Sequence, residues 1–228
     1  IVREPVGVVV SITSFNYPIA LLTMKLGAAL ITGCTIVSKP SDETPLSTMR
    51  IAELFSEAGY PDGVFNVITG RGRDIGDALV THKHTATIAF TGGTNTGQRI
   101  GALAAQHCKR VTLELGGQSP VIVCADADLK VAVPAIVKHT FANSGQFCYR
   151  VGRIYVHSAI YNDFVTEMTE QTIKLTVGDQ FSGCDMGPMI SQKIYKTSEH
   201  QTTDAKKKGA RITIGGERLK GSKYDKGW

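Results

Sequence analysis

No two cysteines in this chain form a CxxC pair, and their number, five, is odd. Cys34, Cys108, Cys124, Cys148 and Cys184 lie too far apart along the chain for a zinc knuckle or a disulfide framework. That usage points to a reducing compartment, and we expect a cytoplasmic protein. No apolar run is long enough to span a bilayer and no signal peptide is visible, so no membrane partner is expected. The six histidines are scattered without ligand-like partners, and no metal is assigned. The net charge is +5, yet no basic stripe interleaved with aromatics exists, which excludes nucleic acid as a partner. The tightest basic cluster, Lys206-Lys207-Lys208, closes a helical segment, where cations offset the helix dipole. There is no internal repeat and no low-complexity segment. What is present is an ordinary globular composition, 42% hydrophobic and 20% charged over 228 residues, enough for one large or two modest domains. The chain opens on Ile1 and stops at Trp228 without a terminating pattern, which reads as a piece of something longer.

Short β-branched runs alternate with helical periodicity. Val6–Ile12 reads as a strand buried on both faces, and Pro18 to about Thr32 as a helix with proline in its first turn and Gly33 as its cap. Thr35–Ser38 is a strand, Leu46–Ala58 a helix, Val64–Ile68 a strand and Ile75–Thr81 a helix. Thr87–Phe90 is a strand, Gln98 to about Gln106 a helix, and Val111–Glu114 a strand. Short connections between alternating elements imply an open parallel sheet flanked by helices, an α/β fold. The pattern then restarts: strand Val121–Val123, helix Leu129 to about Asn143, strand Arg153–Val156 and helix Ala159–Leu175. A helix ending near Lys208 and a strand Ile212–Ile214 close the series. Gly116-Gly117-Gln118-Ser119-Pro120 is the natural boundary between two α/β units.

Two kinds of chemistry stand out. One is a cysteine, Cys148, in the small polar stretch Asn143-Ser144-Gly145-Gln146-Phe147, read with a carboxylate, Glu114, at the end of an apolar strand. A thiolate and a carboxylate on opposite sides of one pocket can form a thioester and then hydrolyse it. The other is a set of loops at strand ends, where open α/β sheets bind ligands. Gly70-Arg71-Gly72-Arg73-Asp74-Ile75-Gly76 is one residue too long for GxGxxG, and Gly92-Gly93-Thr94-Asn95-Thr96-Gly97 also joins strand to helix. Each reads equally as a phosphate cradle or as a tight turn that needs glycine. Lys39 with Asp42 can hold a ribose diol, or form a solvated turn with a helix cap. Cys34, Cys108 and Cys124 lie in or beside apolar elements and are expected to pack, whereas Cys184 is expected at the surface.

Five motifs in order then resemble the NAD(P)-dependent aldehyde dehydrogenase superfamily: Phe15-Asn16-Tyr17-Pro18, Lys39-Pro40-Ser41-Asp42-Glu43-Thr44-Pro45, Phe90-Thr91-Gly92 with Gly97, Glu114-Leu115-Gly116-Gly117 with Ser119-Pro120, and Gly145-Gln146 with Cys148. The resemblance covers essentially the whole chain and is nearest to the non-acylating semialdehyde and aromatic-aldehyde oxidisers. It implies part of an NAD(P)-binding domain over residues 1–115 and part of a catalytic domain over 116–228. It also implies oxidation of an aldehyde to its acid with NAD, NADP being compatible. Cys148 is then the nucleophile, Glu114 the general base, Asn16 the oxyanion donor and Lys25 a pocket lysine. Lys39, Ser41, Asp42, Phe90, Thr91, Gly92, Gly93, Gly97, Leu115 and Gly116 form the cofactor-binding set, which makes the Gly70 loop a decoy. Asp42 stands where many members have glutamate, and Gly93 where many have serine. Tyr149 and Arg150 leave the aldehyde unspecified. Family chains are about twice as long, so the 228 residues alone are expected to turn over weakly or not at all, and the full protein to be a homodimer or homotetramer. The rivals are a coenzyme A-acylating relative, disfavoured by Glu114, and a non-catalytic module on the same fold.

Overall fold

The computed structural model describes residues 2–228. They form two compact units, one up to Gly116 and one from Gly117 to Trp228. In the first unit the elements are β1 (Val8–Ile12), α1 (Pro18–Ile31), β2 (Thr35–Lys39), α2 (Leu46–Glu57), β3 (Phe65–Val67), α3 (Gly72–Thr81), β4 (Thr85–Thr91), α4 (Thr94–Gln106) and β5 (Arg110–Glu114). All neighbouring strands are parallel, in the order β3-β2-β1-β4-β5. Parallel pairing follows from the sequence pattern, because each strand returns through a helix.

Successive residues of β1 serve opposite faces, as a pleated strand requires. Val10 packs with Ile88, Phe90, Ile100, Ala104 and Val80 on one face; Val9 packs with Leu22, Leu26, Ile36 and Cys34 on the other. Fully burying one such aliphatic side chain stabilises the fold by roughly 1.5–3 kcal/mol, and Leu22, Ile36 and Ile88 are each 0% exposed.

The second unit contains β6 (Pro120–Val123), α5 (Leu129–Phe141), β7 (Arg153–Val156), α6 (Tyr161–Ile173) and α7 (Gln192–Lys207). Strands β6 and β7 form a two-stranded parallel sheet. Its core joins Val123, Val133, Ile136, Val137, Val151 and Phe164. The Asp128 side chain accepts a hydrogen bond from the Lys130 N–H and starts α5.

Several expected boundaries move. Helix α3 starts at Gly72 and α4 at Thr94, one turn before the apolar periodicity begins. Asp, Thr and Asn are comfortable in a first turn, where backbone amides lack helical partners. Helix α5 stops at Phe141, and residues 142–145 form a 3-10 turn instead of a further helical turn. Ile212–Ile214 is not a strand: it is irregular, with Ile212 37% and Ile214 40% exposed. Three β-branched residues carry strand propensity, but a strand exists only by pairing, and among the described residues none pairs with them.

Candidate active site

The chain leaves β1 toward β2 and β3 on one side of the sheet and returns to β4 and β5 on the other. The order therefore reverses between β1 and β4, and such a switch opens a crevice at the carboxyl ends of the two strands. The loop after β1 carries Asn16, and the Ser14 hydroxyl donates to its Oδ1 at 2.7 Å. That bond fixes the amide's orientation, so its Nδ2 side is the donor side.

At the ends of β4 and β5, Thr91 and Glu114 are register partners. The Gly92 N–H donates to the Glu114 carbonyl at 3.0 Å and extends this pairing. From α1, the Lys25 ammonium donates to Thr91 Oγ1 at 2.6 Å and to the Leu21 carbonyl at 3.4 Å. Burial pushes the Lys25 pKa below its ordinary value, and the Glu114 carboxylate opposes that shift. Asn16 thus lies in the loop that leaves β1, Glu114 ends β5, and Lys25 reaches from α1 to Thr91 at the end of β4.

The second cluster sits where β2 ends. Lys39 is almost fully buried, and its Nζ donates to the Pro40 carbonyl and to Asp42 Oδ1, both at 2.9 Å. Asp42 itself is exposed. Ser41 Oγ accepts from the Glu43 N–H at 3.3 Å and shapes the turn. Past β4, a Cβ added at Gly92 would meet the Phe90 ring at 2.5 Å, and one at Gly97 would collide with Leu115. Packing alone therefore explains why Phe90, Gly92, Gly97 and Leu115 occur together. Gly93 and Gly116 differ, since an added Cβ at either meets nothing within 4 Å. Gly93 is the N-cap of α4, whose first amides have no helical partner.

The second unit carries Cys148. Asn143, Ser144 and Gly145 have φ of 49°, 56° and 72°, three successive left-handed residues of which two are not glycine. Each non-glycine residue held there costs about 1–3 kcal/mol. The surroundings hold the loop in this shape. Ser144 Oγ donates to the Gly187 carbonyl at 2.8 Å, and Gln146 Oε1 accepts from the Ile190 N–H at 3.0 Å. Phe147 is 8% exposed and meets the Tyr149 ring edge-on at 4.6 Å. Between them Cys148 is half-buried, and a Cβ added at Gly117 would lie 3.8 Å from its carbonyl. Arg150 folds back, so that a Cβ at Gly152 would strike its Nη1.

Of the other thiols, Cys34 is buried as expected, and Cys184 is partly exposed. Cys108 and Cys124 are exposed, contrary to the sequence reading. Cys108 has a φ of 52° in the turn after α4, and Cys124 directly follows β6, so adjacency to an apolar element did not place either side chain inside. Among the described residues no group of three or more His, Cys, Asp or Glu can hold a metal ion, and no helix is long and apolar enough to cross a membrane.

Two features of the site escaped the sequence. Ser14 orients Asn16, a contact that only coordinates reveal. The Gly70 loop, set aside as a decoy, contributes Arg71, Gly72 and Arg73 to a shallow polar depression that Asp42 also lines. Its signal was available: the loop follows β3, and β3 neighbours β2 in the sheet.

The whole chain, residues 1–228, matches the Aldehyde dehydrogenase family. It is 46% identical over 219 residues to the mitochondrial succinate-semialdehyde dehydrogenase of Arabidopsis thaliana, covering 96% of this chain and 42% of that protein. It is 40% identical over 218 residues to the succinate-semialdehyde dehydrogenase [NADP(+)] GabD of Escherichia coli, covering 95% and 45%. The crystal structure of betaine aldehyde dehydrogenase from Staphylococcus aureus in complex with NAD+ superposes with a TM-score of 0.96 at 39% identity, covering 98% of this chain and 45% of that one. The chain thus spans less than half the length of these relatives. With its parallel sheet, its strand-end clusters and its cysteine loop, the chain belongs to the aldehyde dehydrogenase family.

Proposed function

We propose that this chain is the part of an NAD(P)-dependent aldehyde dehydrogenase that carries the nucleophile, the base and most of the adenosine contacts. In this reading residues 1–115 belong to the cofactor-binding domain and 116–228 to the catalytic domain. The Cys148 thiolate attacks the aldehyde carbon. The Asn16 amide and the Cys148 N–H stabilise the resulting thiohemiacetal oxyanion, a donor role worth roughly 3 kcal/mol. A nicotinamide cofactor, when bound, would supply the hydride acceptor for the oxidation, and Cys148 would hold the acyl group as a thioester. Glu114 takes a proton from water as that water attacks the thioester, and the carboxylic acid departs with the thiol restored. Because Glu114 provides hydrolysis, transfer to coenzyme A is not the favoured outcome.

The residues suit an adenine dinucleotide. Lys39 and Asp42 offer a cation and a carboxylate to the two hydroxyls of a ribose, with Ser41 in the same turn. The open Gly93 and the free amides of α4 suit a pyrophosphate. Lys25 donates to Thr91, the register partner of Glu114, which brings its Nζ to the strand end that carries the base.

The observation that carries the catalytic reading is the run of left-handed residues 143–145 ahead of Cys148. Strain of that kind persists where function uses it. The named relatives act on semialdehydes and betaine aldehyde, and we place the substrate among small polar aldehydes. Five free thiols favour a reducing compartment such as the cytoplasm. The assembled protein is proposed to be a homodimer or homotetramer.

Incubation of the full-length protein with NAD+ and a panel of semialdehydes and aromatic aldehydes, followed by NADH absorbance, tests the reading. Cys148→Ala abolishes NADH formation, and Glu114→Gln retains a first burst but stalls turnover. Normal steady-state rates in the Glu114 variant remove that residue from the mechanism.

A further inference from the structure

Cys148 sits in an excursion whose two ends are fixed together. Helix α5 closes at Phe141, and beyond the cysteine the Val151 N–H donates back to the His139 carbonyl at 3.3 Å. Between those ends only the short 3-10 turn of residues 142–145 orders the backbone. Asn143 and Ser144 are both left-handed there, at φ 49° and 56°. Asparagine takes that conformation more readily than most residues, whereas serine has no such preference. The cost of two such residues exceeds what one neutral hydrogen bond returns. The run therefore keeps its shape through several contacts together. Some are internal, such as the Gln146 N–H donating to the Asn143 carbonyl at 3.0 Å.

The least favoured residue of the run has its anchor outside it. The Ser144 hydroxyl donates to the Gly187 carbonyl at 2.8 Å, across forty-three positions of sequence. That acceptor is itself braced. The Asp185 carboxylate closes the preceding turn by accepting from the Thr176 N–H and the Thr176 hydroxyl, both at 2.7 Å. The Met186 N–H donates to the Thr176 carbonyl and the Gly178 N–H to the Met186 carbonyl, each at 3.0 Å. On the other side of Gly187, the Met189 N–H donates to the Trp228 carbonyl at 2.8 Å. Gly187 is thus pinned from both directions, and a hydroxyl shortly ahead of Cys148 is fastened to it.

We propose that Ser144 is a positioning residue for Cys148. Its hydroxyl ties the left-handed run to the braced segment around Gly187 and so fixes the direction of the Cys148 N–H and thiol. This rests on the reading that Cys148 is the nucleophile and its N–H an oxyanion donor. Such a donor works through geometry set before the reaction, so it loses effect when its aim drifts. Loss of the hydroxyl then slows the steps up to the thioester. It leaves cofactor affinity alone, since no residue of the cofactor-binding set lies in this segment.

Single-turnover NADH formation tests this, with the full-length protein in excess over the aldehyde and saturated with NAD+. Ser144→Ala keeps the left-handed cost and loses the bond, whereas Ser144→Gly loses both. Both variants are expected to slow the single-turnover rate constant about threefold to tenfold, the range that one neutral hydrogen bond supplies, with NAD+ affinity by titration unchanged. Partial unfolding lowers the amplitude and not this rate constant, and where the alanine variant fails to fold the glycine variant carries the test. Wild-type rates in both variants overturn the proposal and leave the nucleophile reading intact, provided Cys148→Ala forms no NADH. A wild-type rate in Ser144→Gly alone also overturns it, because backbone shape and not the bond would then matter. So does a rate loss matched by an equal loss of NAD+ affinity. NADH formation by Cys148→Ala overturns both readings.

Discussion

Gly92 and Gly93 are neighbours in sequence and opposites in what they tolerate. A methyl group on Gly92 would drive into the Phe90 ring, which is 4% exposed and cannot swing away. Overpacking of this kind costs about 1–3 kcal/mol, more than the entropy an alanine recovers from the unfolded chain. Gly92→Ala should therefore lower the denaturant midpoint. Gly93 has φ −69° and ψ 145°, ordinary for any residue, and open space around its Cβ position. Gly93→Ser should gain a few tenths of a kcal/mol as a helix cap and tighten NAD binding by titration; weaker binding would argue against a pyrophosphate there. Lys25 makes a pH prediction. It holds its proton less tightly when folded, so the fold gains stability as pH rises through the window below the ordinary 10.5. Denaturation midpoints of wild type and Lys25→Met, compared at neutral and alkaline pH, should shift in the wild type's favour on the alkaline side. A constant gap removes the effect. At this scale the sequence was informative about residue types and poor about exposure. It could pair Lys39 with Asp42, three positions apart, yet it misjudged Cys108 and Cys124, because burial depends on which way a turn faces.

Elements were legible wherever periodicity spoke. The alternation of strands and helices, and hence the parallel sheet, followed from β-branched runs and short connections. The starts of α3 and α4 did not, since Gly72 and Thr94-Asn95-Thr96 carry no apolar period and belong to first turns. The end of α5 was hidden for another reason. Residues 142–145 have helix-compatible neighbours, but Ser144 and Gln146 are held by backbone groups of Gly187 and Ile190, more than forty positions away. The start of α5 is more local, with Asp128 Oδ1 accepting from the Lys130 N–H at 2.9 Å. Asp128→Ala should cost about 1 kcal/mol of stability, read as a lower melting temperature; an unchanged value would show that α5 is held by its packing alone.

On the scale of the molecule, one surface of the first unit remains apolar. The outer side of α1 exposes Met24 (72%) and Ile31 (88%). Nearby an open groove is lined by Leu26, Leu30, Phe55 and Tyr60. Apolar surface of this kind favours association, so the chain should bind a hydrophobic dye and self-associate with rising concentration in light scattering. A monomer at all concentrations with no dye binding would mean that the groove closes in solution. The strand order has a further consequence, for synthesis. Of the five strands of this sheet β1 leaves the ribosome before the others, but Val8 pairs with Thr35 on one side and Thr85 on the other. Until β4 is translated, one flank of the future middle strand has open backbone groups and no occupant. A ribosome stalled before Thr85 would therefore hold a nascent chain with a raw edge, a ready target for holdase chaperones, and release from them should coincide with emergence of β4.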